Sequence, residues 1–179
     1  MNEAKKLNSY TYQDYLEIAH NTDERVEFIF GNIYMMAGAS ALHQDIVGNI
    51  FYQAKSRQTT DNCKPRIAPF DVKLSVNGSI NIVQPDVMIF CNKDEIPCAI
   101  FEVLSPSTAL KDKTVKKKLY EMSGVKEYFL VNSEYKIVEK FKLNDNIYES
   151  VGIFGKDDTI EVECLDLEIN LQDIFDIED

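Results

Sequence analysis

Two carboxylates in unusual surroundings offer the first chemistry. Pro85-Asp86 stands at the mouth of a dense apolar run, Val87–Phe90, and Glu102 lies inside the next, Ala99–Leu104. An ionised carboxylate in an apolar strand is costly unless it is paired or bound to a cation. Two of them on neighbouring strands could share one divalent ion. Hard ions such as Mg²⁺ or Mn²⁺ take carboxylate oxygens and keep several waters. A retained water, lowered in pKa by the metal, can attack a phosphodiester. The plainer alternative is that Pro-Asp is a turn pair and that Glu102 is salt-bridged or solvated near a strand end.

The elements that must position this pair follow from periodicity. Thr11, with Asp14 three residues on, starts a helix with a capping-box pattern. Val26–Phe30 and Ile33–Ala37 flank Gly31-Asn32 as a hairpin. Leu42, Ile46, Val47, Ile50, Phe51 and Ala54 recur at helical spacing, which predicts an amphipathic helix over 41–57. Phe70–Val76 and Ile80–Val83 read as strands about an Asn77-Gly78 turn. Val87–Phe90 and Ala99–Leu104 have the density of strands buried on both faces. Ser107 or Thr108 caps a helix running to about Met122. Its core stripe is Val115, Leu119 and Met122, and Gly124 closes it. Glu127–Val131 is the next strand, so Ala99–Val131 predicts a strand–helix–strand crossover. Lys136–Leu143, Ile147–Ile153 and Thr159–Glu163 read as a strand meander, and Asn170 caps a final turn around Ile174 and Phe175.

The 179 residues fit one domain, 1–179, long enough for a real core. No apolar run approaches the roughly 20 residues of a membrane span. Met1 to Tyr10 is too polar for a signal peptide, so a cytoplasmic protein is expected. Cys63, Cys91, Cys98 and Cys164 form no CxxC pair, and only two histidines exist. A structural zinc site is not expected. Disulfides suit a secreted chain, so the cysteines read as small buried hydrophobes. The net charge of -11 is unevenly spread: residues 134–179 hold 4 Lys against 14 acids. Lys111, Lys113, Lys116, Lys117 and Lys118 crowd one segment upstream. That distribution allows a phosphate ligand but argues against strong non-specific DNA affinity.

Longer patterns join these residues. They are Arg25-Val26-Glu27 with Gly31, Met36, His43, Pro85-Asp86-Val87 and the run Glu102-Val103-Leu104-Ser105-Pro106-Ser107-Thr108. Asp112, Lys116 and Tyr120 follow at four-residue steps, then Gly124-Val125-Lys126-Glu127-Tyr128. In these, from about Tyr12 to Phe175, the chain resembles the Uma-two endonuclease family within the PD-(D/E)XK nuclease superfamily. The resemblance implies an α/β, restriction-endonuclease-like core, a central mixed β-sheet flanked by helices. It implies Asp86 and Glu102 as metal ligands, an accessory Glu27, and His43 as a further site residue. The usual superfamily lysine lies two residues after the glutamate, where this chain has Leu104. In the Uma-two pattern the matching lysine is Lys116, on the following helix. Its stripe lies one position from the core stripe, about 100° around the helix, where a long side chain can reach a strand end.

Each candidate has a plainer reading. Asp112 and Lys116 could be an i, i+4 surface pair worth a few tenths of a kcal/mol. His43 could be a hydrogen-bonded boundary residue, and Glu27 could merely pair with Arg25 or a lysine. The leading expectation is a Mg²⁺- or Mn²⁺-dependent endonuclease cutting DNA phosphodiesters. As a homodimer it could act on two strands. The alternatives are a catalytically inactive binding or interaction protein of the same fold, and a hydrolase of a smaller phosphoester. No Walker glycine loop or GxSxG elbow points to an NTPase or a serine hydrolase.

Overall fold

The structure, a computed structural model, describes residues 9–56 and 62–177. Thr11 caps α1 (Tyr12–Asn21): its hydroxyl oxygen accepts the Asp14 N–H, and Asp14 accepts the Thr11 N–H in return. β1 (Val26–Ile29) and β2 (Asn32–Met35) form the first hairpin. Its turn is Phe30-Gly31 rather than Gly31-Asn32. Both residues take positive φ, 49° and 76°, as a two-residue type I′ turn requires. α2 (Ala41–Ser56) begins at Ser40, whose Oγ accepts the His43 N–H at 3.2 Å. Arg57, predicted to end this helix, and residues 1–8 lie outside the described residues. Ile46, Val47, Ile50 and Ala54 are buried as their spacing predicts, but Leu42, in the first turn, is 48% exposed.

β3 (Cys63–Ile67) has no counterpart among the predicted elements. Pro65 interrupts its strand signal and is tolerated because β3 is an edge strand. β4 (Val72–Val76) and β5 (Ser79–Val83) turn over Asn77-Gly78 as expected. β6 (Val87–Cys91) and β7 (Ala99–Leu104) follow. The expected single helix is then divided into α3 (Ala109–Lys111), a π-helical turn over Asp112–Lys116, and α4 (Lys117–Ser123), which ends at Gly124 with φ 83°. β8 (Glu127–Asn132) runs parallel to β7, completing the strand–helix–strand unit. β9 (Ile137–Asn144) and β10 (Ile147–Gly155) pair as a hairpin. β11 (Thr159–Val162) leaves the predicted meander and pairs with β12 (Leu167–Asn170) in a separate small sheet. Asn170 Oδ1 accepts the Gln172 N–H at the start of α5 (Gln172–Phe175), but the capping position itself is Leu171, one residue after the expected Asn170.

The central sheet is mixed, in the order β10-β9-β8-β7-β6-β3, with helices on its faces and a second sheet, β2-β1-β5-β4, beside it. Alternation along β7 serves two cores. Phe101 and Val103 join Ile50, Phe129 and Ile174 on one face. Ile100 and Leu104 join Leu74, Leu119 and Tyr128 on the other. Each large apolar side chain so buried contributes about 1.5–3 kcal/mol. Glu102 falls by the same alternation on the second face, which explains why one strand reads as apolar yet carries a carboxylate. None of the described helices is long and apolar enough to cross a membrane.

The cysteines depart from expectation. Cys63 is bonded to Cys91 across the β3–β6 ladder, and Cys98 to Cys164. The pairing depends on strand register and on where the chain returns from residue 164, neither of which shows in cysteine spacing.

Candidate active site

Strand register brings the two carboxylates together. β6 and β7 are antiparallel with Val87 opposite Phe101. Asp86, one residue earlier, therefore comes opposite Glu102. Residues opposite one another in such a ladder project to the same side. Asp86 Oδ2 accepts the Val103 N–H at 2.8 Å, which fixes the carboxylate at the mouth of the strand pair. Both side chains line one cavity of about 580 Å³, with His43, Lys111, Asp112 and Lys116 also in its wall.

Lys116 is the hub. The π-helical turn and α4 place it inside the protein, 2% exposed. Its Nζ lies 3.0 Å from Glu102 Oε1, 2.8 Å from Glu27 Oε1 and 3.6 Å from Asp112 Oδ1. Glu27, wholly buried on β1, is also paired with Lys111 at 2.6 Å and accepts the Gln84 N–H. It does not use Arg25. Tyr120 donates its hydroxyl to Glu102 Oε1 at 2.7 Å. The buried face of the helical segment is thus Asp112, Lys116, Leu119, Tyr120 and Ser123, whereas Met122 of the predicted core stripe is 42% exposed. Leu119 of that stripe is fully buried and Val115 packs against the same core, so the stripe fails only at its end, where Ser123 turns inward in place of Met122. Lys111 and Tyr120 gain specific partners that their positions in sequence did not single out. The remaining lysines face outward: Lys113 pairs with Glu139, Lys118 with Glu121, and Lys117 lies 3.5 Å from the centre of the Phe141 ring.

Burial and charge set the protonation states. Burial pulls Lys116 toward neutrality, but Glu102, Glu27 and Asp112 outweigh it and hold its ammonium well above the usual lysine range. Burial drives the Glu102 carboxyl well above its usual range; Lys116 opposes this, while the charges of Asp112, Asp86 and Glu27 add to it. Burial also raises Glu27, but Lys116 and Lys111 reverse that and leave it below the usual range. Burial raises Asp112 against the pull of Lys116. His43 Nε2 lies 3.3 Å from Asp86 Oδ2. That bond lifts the imidazole above its ordinary value despite partial burial.

The donors suit a hard divalent cation. Lys116 and Tyr120 both engage Oε1 of Glu102, and Val103 and His43 both engage Oδ2 of Asp86. These contacts fall on one oxygen of each carboxylate. His43 Nδ1 is buried with no hydrogen-bond partner among the described residues, and Asp112 Oδ1 is buried with only the Lys116 ammonium, 3.6 Å away, beside it. Such orphaned polar atoms call for water, an ion or a polar ligand group. Two carboxylates with room for waters and a phosphate is the usual protein share of a Mg²⁺ site.

Comparison with known proteins agrees with the fold. The family profile described as "Uma2: Putative restriction endonuclease" matches residues 12–172. Uncharacterized protein slr1290 of Synechocystis sp. is 26% identical over 172 residues, covering 91% of this chain and 90% of its own. Uncharacterized protein sll1609 of the same organism is 29% identical over 166 residues, covering 84% and 91%. The crystal structure titled a "putative nuclease belonging to DUF820" from Anabaena variabilis superposes with a TM-score of 0.74, covering 92% of this chain and 97% of that one. At 16% identity this likeness shows a shared fold.

Proposed function

Because the chain belongs to the Uma2 family, described as "Putative restriction endonuclease", we propose that it is a single-domain endonuclease of the cytoplasm that hydrolyses DNA phosphodiester bonds with a divalent metal. The observation that carries this is the buried Lys116 bridging Glu102 and Glu27 beside the His43–Asp86 pair, all but Glu27 lining one cavity. Asp86 and Glu102 would hold Mg²⁺ or Mn²⁺. When bound, the ion supplies Lewis acidity and a water of lowered pKa.

The side chains divide the remaining work. Lys116 keeps its proton and supplies positive charge where a phosphate gains negative charge under attack. It takes the place of the lysine that Leu104 cannot provide. Glu27 is a positioning residue that holds Lys116 charged and orients both Lys116 and Lys111. Tyr120 fixes Oε1 of Glu102 and so aims its other oxygen. His43, tethered to Asp86 through Nε2, presents Nδ1 to a water or a phosphate oxygen.

The test is metal-dependent nicking of supercoiled plasmid by the wild-type chain and by Glu102→Gln and Asp86→Asn. The expected result is cleavage that needs Mg²⁺ or Mn²⁺ and is lost in both variants. Cleavage of equal rate in the variants overturns the assignment. The charge of residues 134–179, 4 Lys against 14 acids, favours a second reading, a non-catalytic binding member of the fold. Metal binding at Asp86 and Glu102 without cleavage of any nucleic acid would support it.

A further inference from the structure

Cys63, Cys91, Cys98 and Cys164 come from four separate places in the chain. Cys63 opens β3, Cys91 ends β6, Cys98 precedes β7, and Cys164 lies in the turn between β11 and β12. Antiparallel pairing of β6 with β7 puts Cys91 and Cys98 at the end of the strand pair opposite to Asp86 and Glu102. The sulfurs form one cluster rather than two separate bridges. Cys91 Sγ is bonded to Cys63 Sγ and lies 3.4 Å from Cys98 Sγ, although these two belong to different disulfides. The sulfurs of Cys91, Cys98 and Cys164 all lie within 4.8 Å of one another. Among the described residues, this is the one metal-sized grouping of three or more His, Cys, Asp or Glu donors.

We propose that, once the two disulfides are reduced, Cys63, Cys91, Cys98 and Cys164 form a tetrathiolate site for one Zn²⁺ ion, separate from the Asp86–Glu102 centre. A tetrahedral zinc site with Zn–S bonds of about 2.3 Å sets its sulfurs roughly 3.8 Å apart. That spread is close to the present one for Cys91, Cys98 and Cys164; Cys63 Sγ, bonded to Cys91, lies outside that grouping and has to swing toward it. Opening each S–S bond from its usual ~2.04 Å to that separation needs shifts of about 1 Å per sulfur, within reach of side-chain rotation. Thiolates are soft ligands that favour zinc over the hard cations suited to the carboxylate site. Cys63, Cys91 and Cys98 are buried while Cys164 is partly exposed, so the cluster has an entry side.

The redox and proton balance is simple. Two equivalents of a small dithiol give four electrons to the two S–S bonds, leaving four thiols and two oxidised dithiol rings. Zn²⁺ then displaces the four thiol protons. In a reducing compartment the thiol form prevails. There the ion would tie the edge strand, the β6–β7 end and the C-terminal sheet together, as the disulfides do in the oxidised chain.

The test uses the full chain, reduced, with Co²⁺ as a spectroscopic stand-in for Zn²⁺. One Co²⁺ per chain should give thiolate charge-transfer absorption and tetrahedral visible bands, both lost on adding Zn²⁺. Cys164→Ser, at the least buried position, should lose the charge-transfer intensity, and Glu102→Gln should retain it. In the Glu102→Gln variant, whose carboxylate centre is disabled, Zn²⁺ should also raise the Tm of the reduced chain and leave that of the oxidised chain unchanged. A reduced chain with neither charge-transfer absorption nor a Zn²⁺-dependent Tm overturns the proposal. So do bands that persist in Cys164→Ser but vanish in Glu102→Gln. Neither result depends on whether the carboxylate site cleaves DNA.

Discussion

At the scale of single residues, Lys116 decides most. A lysine on the flank of a helix can be removed at little cost, but this one neutralises two buried carboxylates and stands near a third. Removing one partner of a buried ion pair costs about 3–5 kcal/mol, because the other charge is left without compensation. Lys116→Met is therefore expected to abolish plasmid nicking and to lower unfolding free energy by that order at neutral pH. The loss should shrink in acid, where Glu102 and Glu27 can take up protons. Lys118→Ala, at an exposed i, i+3 pair, should change stability by only a few tenths of a kcal/mol. Urea denaturation of both variants at two pH values checks this, and equal losses in the two would sink the role given to Lys116.

Protonation of the same centre gives a second residue-scale prediction. Glu102 titrates above the unfolded glutamate value because it is buried. The metal-free fold therefore binds that proton more tightly than the unfolded chain does. The stability this contributes is complete below the ordinary glutamate range and is lost as pH rises through the raised value. His43, raised mainly by its bond to Asp86, acts with the same sign above its ordinary value of 6.5. Glu27 acts oppositely: its contribution is present above the ordinary glutamate range and is lost as pH falls through its lowered value. The Tm of the metal-free chain should thus decline from mildly acid to neutral pH, Glu102→Gln should flatten the decline, and Mg²⁺ should restore stability at the neutral end. A Tm in the variant that declines as steeply as in wild type would contradict the assignment.

At the scale of elements, the π-helical turn and the close of α4 deliver the lysine. Asp112 and Lys116 belong to the π turn, and Tyr120 to the α-helical stretch after it, yet all three face inward. π turns recur at functional sites because they re-aim side chains without ending a helix. The helix then stops at Gly124, whose φ of 83° lets the chain turn straight into β8. A Cβ at Gly124 would meet nothing within 4 Å, so backbone strain is the whole cost. Gly124→Ala is expected to destabilise by about 1 kcal/mol and leave the metal dependence of nicking unchanged. Denaturant midpoints and cleavage assays together check both halves.

At the scale of the whole molecule, charge limits how DNA is held. The net charge is -11. A cleft of about 1070 Å³ between β3 and β4 places Lys64, Arg66, Lys73 and Lys93 near Asp71, Asp94 and Glu95, so its charges nearly cancel, with one cation in excess. Counterion release scales with the phosphates a protein neutralises. Non-specific affinity for duplex DNA should therefore be weak and its dependence on salt shallow. Fluorescence anisotropy across a salt series measures the slope, and a slope typical of six or more phosphate contacts would contradict this picture.

What the sequence determined by itself is local or periodic. Thr11 with Asp14, Asn77-Gly78, the apolar run about Glu102 and Gly124 each carry their structural consequence within a few residues, because capping, turn geometry and strand burial act over that range. The pattern from Glu102 through Tyr120 also named the residues that the structure gathers beside the cavity. Tertiary structure decided what depends on register and return paths. Val87 opposite Phe101 brings Asp86 to Glu102, and β1 carries Glu27 to Lys116. β11 abandons β10 for β12, and four cysteines with no common spacing meet at one end of the sheet. The π turn lies between the two regimes. Its extra residue leaves no mark in composition, and a shift of one residue on a helix moves a side chain about 100°, the difference between exposed Met122 and buried Ser123.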